Sequence, residues 1–220
     1  MGRFYKGLNV KTPPFNRADA KSFQILNILK RSGLPVKYNN LLDWGTFQGK
    51  IAKATGKLLG IPRKHIYGAD VKRQDGIDSS VNYIPVTNGY QVAEVKDDSI
   101  ALGICSMVIH HVENPEKVLE EFVRILEPGG VLVLREHDIS YGERQSVGFI
   151  VDILHLFYDY VFEPSLRFNM DKNMTICQGT YHSFEFYIKI LERLGMLHVR
   201  TEISRNHEKN PFNAGWMVFK

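Results

Sequence analysis

Apolar and polar residues follow two patterns along this chain, one typical of helices and one typical of strands. Segments of the two kinds alternate along the sequence. Phe23, Leu26 and Leu29 fall at helical spacing, which predicts a helix from about Arg17 to Arg31 capped by Asn16. The same spacing predicts further helices over 48–59, 115–126, 146–162 and 184–194. Short apolar runs between turn-forming residues predict strands over 40–44, 65–70, 81–86, 99–109, 131–134, 196–203 and 214–219.

This alternation predicts an α/β fold with a doubly wound, mostly parallel, seven-stranded sheet. The run 99–109 is long and apolar, as expected of a central strand, and Gly129-Gly130 should turn the chain into the next strand. The last two strands should pair as a C-terminal antiparallel hairpin that adds an edge strand. We expect an irregular N-terminal arm over 1–15 and a single domain over 16–220, in which 163–182 is a candidate insertion or lid.

Composition places the chain among globular proteins and excludes several other classes. Its 220 residues are 44% hydrophobic and 24% charged, which argues against disorder, collagen and coiled coils. No apolar run reaches roughly 18 residues, so no membrane-spanning helix is expected. The first 15 residues lack the apolar stretch of a secretory signal, and Cys105 and Cys177 form no CxxC pair. We therefore expect a cytoplasmic protein with a buried Cys105 thiol.

Charge is distributed unevenly along the sequence. Residues 1–64 contain 13 Lys and Arg but only two acids, Asp19 and Asp43, whereas 65–220 contain 15 Lys and Arg and 22 acids. A basic region of this kind suggests a surface for an anionic partner, of which nucleic acid is the first candidate. A merely solvated helix face is the alternative, because the sequence does not show that these charges converge.

Two acidic residues and a glycine-containing turn mark a candidate nucleotide site. The first strand ends in Asp43-Trp-Gly45-Thr-Phe-Gln-Gly49, and the second ends in Asp70. Ligands bind at the carboxyl ends of such strands, and a carboxylate there can accept hydrogen bonds from both ribose hydroxyls. The pattern suits a dinucleotide or an adenosyl cofactor. Phe47 breaks the G-x-G-x-x-G pattern, and Asp43 suits a positively charged ligand better than a pyrophosphate.

With these motifs, residues 40–138 resemble a class I, Rossmann-like S-adenosylmethionine-dependent methyltransferase. Leu41 to Gly49 resembles the first motif of that family, and Tyr67-Gly-Ala-Asp70 resembles the second. Asp97 to Ser106, with His110-His-Val-Glu-Asn-Pro, is similar to the fourth motif, and Phe122 to Leu134 carries the Pro-Gly-Gly stretch.

The resemblance implies S-adenosyl-L-methionine as cofactor and assigns residues to its parts. In place of the family's middle glycine, this sequence has Phe47, which leaves the path of the loop open. The implied contacts are Asp43, Gly45 and Gly49 at the methionine part, Asp70 at the ribose, Val71, Asn88 and Gly89 at the adenine, and Ser106 and Met107 at the sulfonium.

Candidates on the acceptor side follow the fourth and fifth predicted parallel strands: His110, His111, Arg135, Glu136, His137 and Asp138. His110 or His137 could act as a base at neutral pH, or the histidines could only shape the pocket. Glu136, His137 and Asp138 with His155 are metal-ligand residue types, but their spacing matches no compact metal motif, so we predict no metal.

A weaker resemblance concerns Asn16 to Phe23, which looks like the start of FtsJ-type RNA ribose 2′-O-methyltransferases. Lys21 would match the first lysine of that family's Lys-Asp-Lys-Glu set, whereas Arg135 stands at the second lysine and the two acids are missing. Lys21 is therefore a candidate catalyst, a phosphate contact or a solvated helix residue, and Arg135 and His111 are candidate substrate contacts.

Three leading functions remain open from the sequence, ahead of protein methylation and of a nicotinamide-dependent dehydrogenase activity. The first is methylation of RNA, on a cap or a ribose hydroxyl, and the second is methylation of a small molecule. The third is a catalytically inactive, cofactor-binding partner subunit, which the broken Lys-Asp-Lys-Glu set motivates. No membrane partner is expected.

Overall fold

The computed structural model describes residues 17–139, 147–153, 180–203 and 214–220. The predicted arm, the capping Asn16, Cys177, His155 and most of the 163–182 segment lie outside the described residues. Within the described part of the chain, no helix combines the length and apolar character needed to cross a membrane.

Among the described residues, seven strands form one sheet in the order β3-β2-β1-β4-β5-β7-β6, and β7 alone runs opposite to the other six. This confirms the predicted fold class. The strands are β1 (Leu41–Trp44), β2 (Ile66–Asp70), β3 (Asn82–Pro85), β4 (Ile100–Ser106), β5 (Leu126–His137), β6 (His198–Ile203) and β7 (Ala214–Phe219).

Among the described residues, four helices with defined ends cover the sheet: α1 (Arg17–Arg31), α2 (Lys50–Leu59), α3 (Pro115–Ile125) and α4 (Phe184–Arg193). Residues 147–153 are also helical, and the rest of the helix predicted over 146–162 is not described. Side-chain caps set two of the helix starts, since Asn114 accepts from the Lys117 amide and Ser183 accepts from the Phe186 amide.

Two apolar layers enclose the sheet, one on each face. Ile25, Ile28 and Leu29 of α1 pack with Leu41 and Trp216 on the first face, where Ala52 and Leu59 of α2 also lie. On the second face, α3 and α4 pack over the alternate strand residues, among them Leu42, Cys105 and Leu134. Because side chains alternate along each strand, every strand residue can be assigned to one face.

The C-terminal hairpin supplies an edge of the sheet, as predicted. Strands β6 and β7 pair as a hairpin, and β7 inserts between β5 and β6, so the edge strand is β6. Burial explains the order. All six residues of β7 are buried, whereas β6 (His-Val-Arg-Thr-Glu-Ile) is only partly covered and tolerates the edge.

Two predicted boundaries differ from the structure. The strand predicted over 99–109 ends at Ser106, because Met107 adopts φ 62° and the chain then enters a 3-10 turn at Ile109–His111. The next strand begins at Leu126, directly after α3, rather than at Val131. Gly129 and Gly130 lie inside it, where the register with β4 shifts between Ile100 and Leu102, so they form a bulge instead of a connecting turn.

The chain winds outward from β1 in both directions, towards β2 and β3 on one side and towards β4 and β5 on the other. The connections after β1 and β4 therefore diverge at the carboxyl edge of the sheet. Such a switch point leaves a crevice for a ligand, and the residues singled out by the sequence follow these strand ends.

Candidate functional site

The turn between β1 and α2 depends on Gly45. Its φ is +72°, and a Cβ at this position would lie 2.2 Å from Cγ2 of Val108 in the connection that follows β4. The Gly45 amide donates to the carbonyl of Ala69 at 2.8 Å, which ties the turn to β2. Gly49 has φ +74° and caps the start of α2. The two glycines let the backbone lie close to the neighbouring strand connections.

Phe47, the departure from the family pattern, adopts the conformation that a glycine would. Its φ is +51°, in the left-handed region, and its amide donates to Oδ2 of Asp70 at 2.8 Å. That hydrogen bond fixes both the turn and the carboxylate that ends β2. The substitution therefore leaves a glycine-like path in the loop, at a cost in backbone strain.

Asp43 is almost completely buried at the penultimate position of β1, with 2% of its surface exposed. Its Oδ2 accepts from the Thr46 hydroxyl at 3.0 Å. Burial raises the pKa of Asp43 to about 7, against the opposing effects of the Thr46 hydrogen bond and the nearby Lys21 charge. A positively charged ligand group would stabilise the ionised form of a buried carboxyl of this kind.

Asp70 and Val71 lie at the end of β2, as predicted. The Asp70 carboxylate is partly exposed, and Val71 exposes 69% of its surface although it is apolar. Beyond β3, Asn88 (φ 53°) and Gly89 (φ 76°) form a tight exposed turn closed by pairing between Thr87 and Gln91. These residues therefore lie at the ends of neighbouring strands on one edge of the sheet.

Ser106 and Met107 lie at the end of β4, and Ser106 is buried. The Met107 amide donates to the Arg135 carbonyl at 2.8 Å, which holds the turn against β5. The Lys21 amine, from α1, donates to Oγ of Ser106 at 3.4 Å. Lys21 is thereby brought into the candidate site, although 85 residues separate it from Ser106 along the chain.

Arg135 is half-buried near the end of β5, with its guanidinium 5.6 Å from the ring centre of Trp216. Burial lowers the pKa of Arg135, and the charge of Arg17 lowers it further. The predicted substrate contacts Lys21 and Arg135 thus lie on the same side of the site, whereas His111 is an exposed residue of the 3-10 turn.

His110 and Glu136 form a buried pair on the other side of the site. Nδ1 of His110 lies 2.5 Å from Oε2 of Glu136, and both side chains are at most 1% exposed. Oε1 of Glu136 accepts from the amides of Val108 and Ile109 at 2.8 and 2.7 Å. Burial acts to raise the pKa of Glu136, but His110 and these two amides hold it below its usual value.

Further polar groups surround this pair, and two of them, Tyr181 and Asp152, were not among the predicted site residues. Tyr181 stacks on His110 with ring centres 5.2 Å apart, and its hydroxyl donates to Oδ1 of Asp152 at 2.7 Å. His137, the other predicted base, packs edge-on against His110 and Tyr181. Tyr181 and Asp152 come from a part of the sequence without a local motif, so only the tertiary fold identifies them.

Among the described residues, no group of three or more His, Cys, Asp and Glu side chains is arranged to hold a metal ion. Glu136 instead accepts hydrogen bonds from His110 and two amides, and Asp138 accepts from the amide of Phe184, where it fixes the start of α4.

Comparison with known proteins gives this site a family. A family model described as a methyltransferase domain matches residues 17–166, which is more than half of the chain. Human thiol S-methyltransferase TMT1B is 40% identical over 52 residues, covering 24% of this chain and 21% of that protein. The ubiquinone/menaquinone biosynthesis C-methyltransferase UbiE of Hydrogenovibrio crunogenus is 29% identical over 132 residues, covering 54% of this chain and 51% of that protein.

The matched segments thus span only 21% to 51% of these two curated relatives. Solved structures extend the likeness over most of this chain. One is a methyltransferase in complex with the Haloferax volcanii Trm112 activator, with a TM-score of 0.56, 15% identity, and coverage of 93% of this chain and 97% of that one.

Another is Haemonchus contortus phosphoethanolamine N-methyltransferase 2 in complex with S-adenosyl-L-methionine, with a TM-score of 0.57, 14% identity, and coverage of 90% of this chain and 52% of that one. At these identities the two structures show the fold alone. Together with the family model, they confirm the resemblance seen in the motifs: the chain belongs to the class I S-adenosylmethionine-dependent methyltransferases.

Proposed function

We propose that this chain transfers the methyl group of S-adenosylmethionine to an acceptor bound at the carboxyl edge of β4 and β5. The observation that carries the proposal is the joint placement of Gly45, Asp43 and Asp70 at the ends of β1 and β2. When bound, the cofactor supplies an electrophilic methyl group on a positively charged sulfonium.

The residues present suit that cofactor. Gly45 has no Cβ, so its backbone leaves space beside Val108. The partly exposed Asp70 carboxylate can accept hydrogen bonds from ribose hydroxyls. The exposed Val71 side chain offers an apolar surface for the adenine. Asp43 supplies a buried carboxyl whose ionised form a cationic ligand would favour. The full proposed set of cofactor contacts is Asp43, Gly45, Gly49, Asp70, Val71, Asn88, Gly89, Ser106 and Met107.

The chain's own part in the reaction is chiefly alignment. Glu136 holds the turn after β4 through the Val108 and Ile109 amides, and it orients the His110 ring. For an acceptor that must lose a proton, His110 or His137 is the proposed base, because each lies at this edge and a neutral imidazole nitrogen can accept a proton.

RNA is the proposed acceptor, on a cap or a ribose hydroxyl. Its support is a basic strip along α2, in which Lys50, Lys53 and Lys57 fall at helical spacing and are exposed, continued by exposed Arg63 and Lys64. Lys50 directly follows Gly49, so the strip starts beside the proposed cofactor loop. Phosphate groups are the natural ligands of such a track.

The test is transfer of tritiated methyl from S-adenosylmethionine to capped and uncapped RNA, with Asp70→Ala as the inactive control. The expected result is labelled RNA with the wild-type chain, a signal that falls steeply with salt, and none with the variant. Binding of S-adenosylhomocysteine is measured in parallel. Failure to bind it would overturn the methyltransferase proposal itself, whereas binding without RNA labelling would overturn only RNA as the acceptor.

A small-molecule acceptor is the second candidate, and the enclosure of the His110–Glu136 pair favours it. Both side chains are buried with Tyr181, which suits a compact pocket better than an open RNA groove. The matched relatives include thiol and quinone-pathway methyltransferases. If RNA remains unlabelled, thiols and phenols are the next acceptors to assay. Cofactor binding without transfer to any of them would favour a subunit that needs a partner.

A further inference from the structure

The face of the carboxyl edge that α1 covers carries two cationic side chains from different elements. Arg135 on β5 is the register partner of Ser106 on β4 and of Trp216 on β7, so these three side chains leave the sheet on one face. Residues of α1 lie over them. Lys21 reaches Ser106, and Nε1 of Trp216 donates to Oε1 of Gln24 at 3.3 Å.

These two cations have no acidic partner within the described part of the chain. No carboxylate described there lies within 4.0 Å of Lys21 or Arg135, and Nε of Arg135 is buried without a hydrogen bond to a described residue. The two nearby acids have other contacts, since Asp43 accepts from Thr46 and Glu136 pairs with His110.

The positive charges of Lys21 and Arg135 are therefore only partly balanced by nearby negative charge. Burial lowers the pKa of Lys21 to about 8, with Arg135 and Arg17 acting in the same direction, against Asp43 and Glu136. Half-buried cations that repel one another weaken a fold unless a counter-charge accompanies them, so such a group marks a candidate binding position.

We propose that Lys21 and Arg135 form a subsite for an oxyanion, a carboxylate or phosphate group of a ligand bound at the carboxyl edge, with the Ser106 hydroxyl as a further donor. Guanidinium and ammonium groups form short, charge-assisted hydrogen bonds with such anions. This inference rests on the proposed function. The inference extends the proposed function, because it requires an anionic group at the site. This group belongs either to the acceptor or to the amino-acid part of the cofactor.

Inorganic phosphate is the probe for the subsite itself. Its binding to the full chain is measured by thermal denaturation, against sodium chloride at equal ionic strength. The expected result is a phosphate-dependent rise in melting temperature that Lys21→Gln and Arg135→Gln each weaken by about tenfold or more in apparent Kd, while Lys21→Arg retains it. The matched controls are Lys30→Gln, an exposed lysine of the same helix, and Arg193→Gln on α4, both of which should respond like the wild-type chain.

S-adenosylhomocysteine and its decarboxylated analogue separate the two sources of the anion. If the subsite holds the cofactor's carboxylate, Lys21→Gln weakens binding of the first compound but not of the second, and saturating S-adenosylhomocysteine abolishes the phosphate effect. If it holds an acceptor group, Lys21→Gln binds both compounds like the wild-type chain, and phosphate still binds beside S-adenosylhomocysteine. Either outcome supports the subsite.

The inference is overturned if phosphate stabilises the wild-type chain no more than chloride does. Equal phosphate responses in Lys21→Gln, Arg135→Gln and the wild-type chain would overturn it as well. The wild-type affinity for S-adenosylhomocysteine keeps this failure distinct from failure of the proposed function. A chain that binds S-adenosylhomocysteine but shows no phosphate effect loses the subsite and keeps the methyltransferase proposal.

Discussion

Asp43 shows how a residue chosen for ligand binding acts on the stability of the fold. Its carboxyl is buried and its pKa is raised to about 7, above the ordinary value of 3.8. The folded state therefore binds this proton more tightly than the unfolded state does. Stability associated with the protonated carboxyl is complete below about pH 4 and is lost as the pH rises to about 7.

Asp43→Asn should therefore stabilise the empty protein at pH 8 and have little effect near pH 4. The free energy of burying the ionised carboxylate, which the substitution removes, is at most on the order of 4 kcal/mol. The measured increase in the free energy of unfolding should be smaller, because Lys21 loses a nearby negative charge. Urea denaturation of both proteins at the two pH values measures it, with exposed Asp75→Asn as control. Equal stability of Asp43→Asn and wild type at pH 8 would contradict the argument.

Lys21 has the opposite dependence on pH. Its pKa falls from 10.5 to about 8 in the folded chain, so the folded state releases this proton before the unfolded state does. The cost of burying the charge is present below about pH 8 and is relieved as the pH rises towards 10.5. Lys21→Gln should remove that part of the pH dependence. Denaturation midpoints at pH 7.5 and 9.5 would then differ less in the variant than in the wild-type chain, and an unchanged difference would refute this.

Individual site residues were predictable where a strand ends in a polar group. Asp43, Asp70 and Ser106 each follow an apolar run, so their place at the carboxyl edge could be predicted from periodicity. The conformation of Phe47 could not be predicted, since it depends on the hydrogen bond to Asp70 across the turn. The convergence of Lys21 with Arg135 depends on how α1 crosses the sheet, which no local pattern encodes.

At the scale of elements, the connection between β1 and α2 is the most constrained turn of the site. Gly45 and Gly33 both adopt a left-handed conformation, with φ of +72° and +68°, but only Gly45 has a neighbour where a Cβ would lie. The two positions thus share the same backbone strain and differ in steric overlap.

Gly33→Ala should cost only the left-handed backbone penalty of about 1–2 kcal/mol. Gly45→Ala should cost about 1–3 kcal/mol more, because its Cβ overlaps Val108. Gly45→Ala should also weaken binding of S-adenosylhomocysteine, whereas Gly33→Ala should not. Chemical denaturation and calorimetric titration of the two variants provide the comparison, and equal losses of stability would disprove the role of the overlap.

The end of β5 and the turn after β4 are joined by a single buried carboxylate. Glu136 accepts from His110 and from the amides of Val108 and Ile109. Replacing it with Gln removes a buried carboxylate acceptor from three hydrogen bonds, and leaving buried donors unsatisfied costs about 1–3 kcal/mol for each group. Glu136→Gln should therefore destabilise the chain strongly, whereas exposed Glu94→Gln should change stability by at most about 0.5 kcal/mol.

A double-mutant cycle with His110→Gln separates the pair from the two backbone contacts. Substantial coupling between the two substitutions, together with a residual cost of Glu136→Gln in the His110→Gln background, is expected because the amide contacts remain to be lost. Purely additive losses would mean that the two side chains do not interact as described.

Helices and strands were largely predictable from the sequence, whereas the details that pairing decides were not. The ends of α1 and of β7 match the prediction, since each has a clear period and a clear stop. The position of β7 inside the sheet follows from competition for burial with β6, and the bulge at Gly129 follows from the register against β4. Both depend on partners that are distant in sequence.

For the whole molecule, the uneven charge of the sequence becomes a difference between the two faces of the sheet. α1 and α2 lie on one face, where α2 carries the exposed lysines of the basic strip, whereas α3 and α4 lie on the other face. The strip makes one ion pair among the described residues, between Lys53 and Asp78 at 2.7 Å, so most of its charge faces solvent. An RNA acceptor would make this surface part of the substrate site.

In the intact chain, the salt dependence of RNA binding tests whether the basic strip contacts RNA. Each phosphate contact to a single strand contributes about 0.7 to the slope of log K against log salt, so removing Lys50, Lys53 and Lys57 together should lower the slope by about 2. The matched control removes three charges from the opposite face, as Lys117→Gln, Lys189→Gln and Arg193→Gln, and should leave the slope unchanged. Fluorescence anisotropy with a labelled RNA, measured from about 50 to 200 mM salt, distinguishes the two variants. Equal slopes in both would mean that RNA binds through general charge attraction, and the basic strip would then be a solvated helix face.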